Sequence, residues 1–121
     1  MLAHAPSLAD TARDVASGVT DSRQLHAALL AATVFCERGE RPGFRALGVA
    51  GSGVVPIFSS VEQLALARGA VPWFSVTGAD LLAQLPAGYD LVLDIAGPTP
   101  LRLKAAALTA RATLSLGAEP V

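Results

Sequence analysis

Val54-Val55-Pro56-Ile57-Phe58-Ser59-Ser60-Val61-Glu62-Gln63-Leu64 passes from a β-rich run into a helix start without an intervening loop. Ser59 followed three residues later by Glu62 is capping-box chemistry, in which a hydroxyl and a carboxylate each satisfy an orphan backbone donor at the first turn. The helix so opened carries Val61, Leu64, Ala65 and Ala67 and stops at Gly69. A cap of this kind contributes about 1 kcal/mol, so Ser59→Ala is predicted to lower stability by that amount. The same grammar repeats downstream. Val71 to Val76 reads as a strand, Thr77 with Asp80 opens a helix carrying Leu81, Leu82 and Leu85 before Pro86, and Asp90 to Ile95 reads as another strand. Strand, helix, strand, helix, strand favours parallel neighbours with helices packed on a sheet face.

Upstream, Ser7 with Asp10 opens a helix ending near Gly18, and Asp21 with Gln24 opens a second whose apolar stripe is Leu25, Ala28, Leu29 and Ala32. Thr33 to Cys36, Phe44 to Val49 and Val54 to Phe58 are short β-rich runs joined by glycine-containing connections, the pattern of an antiparallel meander. Leu91-Val92-Leu93 is apolar on both faces, as in a central strand, whereas Leu101-Arg102-Leu103-Lys104 alternates as an edge strand does. The predicted fold class is therefore α/β (α+β): a mixed sheet of five or six strands, an antiparallel meander followed by β-α-β-α-β, with two N-terminal helices. The boundaries are a helical extension over 1–20, one domain over 21–116 and a tail over 117–121. A last short helix is predicted from Ala105 to Ala112.

Length agrees with one domain: 121 residues, 52% hydrophobic and 16% charged, enough apolar material for a core. The net charge of -1 provides no footprint for nucleic acid or an anionic membrane. Asp10, Arg13 and Asp14 interrupt any leader-like apolar run. The longest charge-free stretch, Ala46 to Val61, is broken by Gly48, Gly51, Gly53 and Pro56 and is unfit for a spanning helix. A single cysteine excludes an intrachain disulfide framework and fits a reducing, cytoplasmic compartment.

Chemistry-bearing patterns are few. Cys36-Glu37-Arg38-Gly39-Glu40-Arg41, directly after an apolar strand, resembles the active-site loop of rhodanese-type sulfurtransferases. That resemblance implies a Cys36 thiolate and persulfide stabilised by Arg41. Pro42 and Gly43 stand where the supporting helix would begin, and a solvated hairpin turn explains the same residues. Gly48, Gly51 and Gly53 lead into a strand rather than a helix, so they read as a hairpin turn and not a phosphate cradle. His4 and His26 lack partners at metal-ligand spacing. No metal or cofactor is predicted. Asp94, near the C-terminal end of the central strand beside Gly97 and Pro98, and Asp80, at a helix start, are the candidates for ligand contact. Val71-Pro72-Trp73-Phe74 places two large aromatics on opposite faces of a strand, so both are buried only if the sheet is covered on both sides. Trp73, Phe74 and Phe58 are the predicted anchors of an interaction surface.

Leu25-His26-Ala27-Ala28-Leu29-Leu30-Ala31-Ala32-Thr33-Val34-Phe35, then Pro56 to Leu64, Val76-Thr77-Gly78-Ala79-Asp80-Leu81-Leu82 and Leu91-Val92-Leu93-Asp94 together resemble the N-terminal domain of the bacterial SseB family over Leu25 to Leu103. The departures are Cys36 in place of an aliphatic strand residue, a short first loop, and nothing after Val121 that resembles the family's larger C-terminal domain. The resemblance implies a stand-alone cytoplasmic α/β domain without a catalytic set, acting through contacts. It also implies that Cys36 to Arg41 is a variable hairpin. With no charge from Ala46 to Val61 or from Gly69 to Ala79, contiguous apolar surface is expected, and with it a homo-oligomer, by default a dimer. The alternative is a sulfurtransferase or sulfur carrier using Cys36.

Overall fold

In the computed structural model, which describes residues 7–18, 22–40 and 43–104, helices begin where the sequence supplies a side-chain acceptor. Ser7 Oγ accepts the Asp10 amide at 3.1 Å and opens α1 (Leu8–Ala16). Helix α2 spans Ser22–Ala31; its predicted cap, Asp21, lies outside the described residues. Helix α3 (Val61–Arg68) is capped by Ser60, whose Oγ accepts from the Gln63 amide at 3.1 Å, one residue later than the Ser59 cap read from the sequence. Thr77 Oγ1 accepts the Asp80 amide at 3.1 Å and opens α4 (Gly78–Gln84) as predicted. Ser59 with Glu62 and Ser60 with Gln63 both have capping-box spacing, and the Ser59 side chain is drawn away by the carboxylate of Asp94.

Among the described residues five strands accompany the four helices: β1 (Thr33–Glu37), β2 (Gly53–Ile57), β3 (Trp73–Thr77), β4 (Tyr89–Leu93) and β5 (Leu101–Leu103). The fold is mixed α/β, with the strands in two sheets. Strands β1 and β3 pair antiparallel, with Phe35 opposite Ser75. Strand β4 is the centre of the second sheet, parallel to β2 and antiparallel to β5. A bridge joins the two, the Phe35 and Phe58 backbones exchanging hydrogen bonds of 2.8 and 2.9 Å. The expected crossover thus makes β2 and β4 parallel neighbours, while β3 leaves that series to pair with β1.

Phe44 to Val49, predicted as a strand, forms only isolated bridges, Arg38 with Phe44 and Leu47 with Val54. The connection turns too sharply for a ladder: Gly48 and Gly51 have φ of 83° and 98°, a region open to glycine at little cost. The meander is therefore a set of bridges flanking β2.

One face of the strands is covered by α1, α2 and α4. Leu8 and Ala12 of α1, Leu25 and Leu29 of α2 and Leu81 of α4 pack with Val34, Cys36, Val55, Ile57, Leu91, Leu93 and Leu103 in a single core. Each of the larger buried aliphatic side chains contributes about 1.5–3 kcal/mol relative to exposure. Helix α1 shares this core, so residues 8–16 are packed into the domain. Strand alternation turns Phe35 and Glu37 to the other face, where α3 packs against β1 and Leu64 is buried. The predicted helix from Ala105 to Ala112 and the 117–121 tail lie outside the described residues.

Candidate functional site

Strand β3 starts after Pro72, whose carbonyl accepts the Arg38 amide at 2.8 Å, and its burial alternates: Trp73, Ser75 and Thr77 exposed, Phe74 and Val76 half-buried. Trp73 is 43% exposed. It stands opposite Glu37 in the ladder and meets the Phe35 ring edge-on, with centroids 5.4 Å apart and planes at 74°. Edge-to-face packing of this kind is worth about 0.5–1.5 kcal/mol beyond area burial and holds the indole in one orientation. Glu37 is in turn fixed by two cations. Arg68 Nε of α3 donates to its carboxylate at 2.6 Å, and Arg45 Nε lies 3.6 Å away. These residues, with Leu47, Pro56 and Phe58, line a small cleft. Trp73 therefore projects from a braced patch, with its neighbours already committed to one another.

Phe74 faces the opposite side. Its ring lies 5.9 Å from that of Phe44, and the Arg38 guanidinium sits 5.8 Å from its centroid, a cation–π contact. The two aromatics read from the sequence are thus separated by the strand, as alternation requires. Phe58 is 1% exposed and is a core residue, which removes it from the predicted surface anchors. It follows β2 on the bridge to β1, where both faces are covered.

Asp94 lies just past β4 with φ at 52°, the one non-glycine residue with positive φ among the described residues, and is 8% exposed. Its Oδ1 accepts the Ser59 amide at 2.8 Å and its Oδ2 accepts the Ser59 hydroxyl at 2.6 Å. Its own amide donates to the Ile57 carbonyl at 3.0 Å, and its carbonyl accepts from Gly97 at 2.9 Å. Both carboxylate oxygens are engaged in tying the end of β4 to the turn between β2 and α3. That accounts for Asp94 as a structural latch and explains why Ser59 does not cap α3. Nothing local in the sequence links residues 35 apart. The one available signal is that both follow the C-terminal ends of strands in an α/β pattern, where such ends converge. Asp80 is exposed in the first turn of α4, where a carboxylate complements the helix dipole. The structure does not bring Asp80 and Asp94 together as a site.

Cys36 is 1% exposed, on the inner side of β1 opposite Phe74. Burial pushes its thiol from about 9 up to about 12, the reverse of the shift a nucleophilic cysteine needs. Arg41 lies outside the described residues. Alkylation of Cys36 at pH 8 is expected to run at least about a hundredfold slower in the native protein than in denaturant, because the thiolate is suppressed and access is closed. Equal rates in the two states would show an open, reactive thiol. The same shift has a consequence for stability. The folded state holds this proton more tightly, so the contribution is complete below the unfolded value near 9 and is lost as pH rises towards 12.

Among the described residues no group of three or more His, Cys, Asp or Glu side chains is placed to hold a metal ion, and no helix is long and apolar enough to cross a membrane. The family model described as the SseB protein N-terminal domain matches residues 8–110 of the chain. No curated protein and no solved structure matches it.

Proposed function

The chain belongs to the SseB N-terminal-domain family, and from that membership we propose that it is a non-catalytic protein-interaction module of the cytoplasm that works through an apolar contact face and self-associates. One observation carries this reading. The protein's only tryptophan is held at the surface, 43% exposed, inside an eleven-residue stretch, Gly69 to Ala79, that contains no charge. A large aromatic braced by Phe35 offers contact area at little conformational cost, the property of interface anchors. Leu66 of α3, also exposed, adds apolar area outside the core. Charge supports the same partner class, since a near-neutral surface suits protein contact better than a polyanion. Phe74, half-buried under Phe44 and Arg38 on the opposite face, supports Trp73 from within the strand and is not itself the anchor.

Sedimentation velocity on the full chain tests the proposal. The wild type is expected to self-associate in the micromolar range, and Trp73→Ala to weaken that association by about 2 kcal/mol or more, roughly thirtyfold. A wild type that stays monomeric at several hundred micromolar overturns self-association. An alanine variant that assembles like the wild type removes Trp73 from the contact.

A further inference from the structure

We propose that β3 pairs with β3 of a second copy of this chain, antiparallel about a two-fold axis at Ser75, so that the sheets of the two protomers join edge to edge. This rests on the reading of the Trp73 region as a contact between copies and specifies how the contact is made.

The edge is open. In the β1–β3 ladder the hydrogen-bonded pairs are the even-numbered ones, as its flanking bonds show: Arg38 N–H to the Pro72 carbonyl at 2.8 Å, and Gly78 N–H to the Ala32 carbonyl at 2.9 Å. Phe74 and Val76 therefore spend their backbone groups on β1, and Trp73, Ser75 and Thr77 direct theirs to the other side. No strand lies there among the described residues, and no described backbone bond meets the Ser75 or Thr77 amide or the Trp73 carbonyl.

The two outer edges are also built differently. Strand β5 is three residues long, has Arg102 at its centre and is followed by Lys104, both paired with Asp90. Short length and charge are the usual protection of a sheet edge against unwanted pairing. Strand β3 is five residues long and carries no charge, and the nearest charged residues in sequence are Arg68 and Asp80. An edge with neither device is suited to pairing.

The occupant is a second copy because the strand complements itself. Reversed about Ser75, Trp73 faces the partner's Thr77, Phe74 faces the partner's Val76, and Ser75 faces its own counterpart. Aromatic residues opposite β-branched ones, and hydroxyls opposite hydroxyls, are favourable cross-strand pairs, and no like charges meet. The Thr77 carbonyl is committed to the first turn of α4. Four backbone bonds remain. Each Ser75 N–H donates to the partner's Ser75 carbonyl, and each Thr77 N–H donates to the partner's Trp73 carbonyl. The exposed Trp73 side chain then flanks the seam. A register slipped by one residue would set Trp73 and Ser75 against the inward-facing side of the partner strand.

Charge exchange at the axis tests the pairing on the full chain. Ser75→Lys and Ser75→Glu each place like charges opposite one another, and each alone is expected to self-associate at least tenfold more weakly than the wild type. Mixed in equal amounts, they are expected to regain association as a heterodimer. Should these variants fold poorly, Ser75→Cys serves instead. Paired Cα atoms about 5.5 Å apart fall within disulfide range, so mild oxidation is expected to link two chains, with Cys36 sealed in the core. A Lys variant that keeps wild-type association, a mixture that stays weak, or a Cys variant that does not cross-link overturns the edge pairing. If Trp73→Ala dissociates the protein while the Ser75 variants remain assembled, the contact face stands and the edge pairing falls. A monomeric wild type whose Ser75 and Thr77 amides become protected from exchange only on adding a different protein also overturns it, and gives the edge to that protein.

Discussion

Gly78→Ala is expected to destabilise the domain by at least about 3 kcal/mol or to prevent folding, a large effect for the addition of a single methyl group. Gly78 begins α4 at the end of β3, is buried, and donates its amide to Ala32 at 2.9 Å. A Cβ at this position would overlap the Leu29 carbonyl oxygen and stand 2.5 Å from the Leu29 carbonyl carbon. The obstacle is the backbone of α2, so no rotamer change relieves it. Leu29 is itself fully buried, and moving α2 away would open the core that α2, α4 and β1 share. Gly39→Ala is the control, because no atom lies within 4 Å of its Cβ position. Urea denaturation is expected to separate the two, with Gly39→Ala within about 0.5 kcal/mol of the wild type. A Gly78→Ala protein with a wild-type midpoint would show that α2 and α4 do not approach this closely.

Asp94→Ala is expected to cost about 3 kcal/mol, from two sources that add. The Ser59 amide and hydroxyl lose a shared carboxylate acceptor in a partly buried position, and alanine must occupy φ of 52°, where its Cβ is disfavoured. Asp94→Asn separates the sources. Asparagine tolerates this backbone region and keeps one carbonyl acceptor, so less than half of the loss is expected. Ser59→Ala removes only the hydroxyl bond at 2.6 Å and is expected to cost about 1–2 kcal/mol. The direction agrees with the loss predicted from a Ser59 cap, but the cause is a long-range latch. Ser60→Ala, not Ser59→Ala, should be the variant that frays α3. Chemical denaturation at constant m-value resolves the series. Equal stability of the Ala and Asn variants would put the loss in the hydrogen bonds alone, and a wild-type midpoint for Asp94→Ala would refute the latch.

Much of the fold was legible because its signals are local. Hydroxyl caps at Ser7 and Thr77, the β-rich runs around Val55, Phe74 and Val92, and the glycine and proline stops each depend on residues within one helical turn or one strand. Two local readings failed for non-local reasons. Ser59 with Glu62 and Ser60 with Gln63 have the same capping-box spacing, but Asp94, 35 residues from Ser59, takes the Ser59 hydroxyl and leaves the cap to Ser60. Phe44 to Val49 has strand composition, but the sharp return through Gly48 and Gly51 allows bridges and no ladder. The candidate site divides in the same way. That Trp73 and Phe74 lie on opposite faces follows from the two-residue period of a strand. Which of them is presented to solvent depends on which face the helices cover. The Glu37, Arg45 and Arg68 cluster joins three separate segments and carries no spacing signal.

By itself the sequence determined the class of the fold, the order of its elements, its near-neutral surface and the aromatic pair on β3, since capping, periodicity and composition act over a few residues. Only the tertiary structure decided that β3 turns away from the parallel series to pair with β1, that Phe58 and Cys36 are sealed in the interior, and that Trp73 remains outside. Strand partnership and burial depend on contacts between residues distant in the chain, and several partners of equal local quality compete for each one. The competition is settled by the arrangement that closes the core, and in this protein that arrangement leaves one uncharged strand edge open.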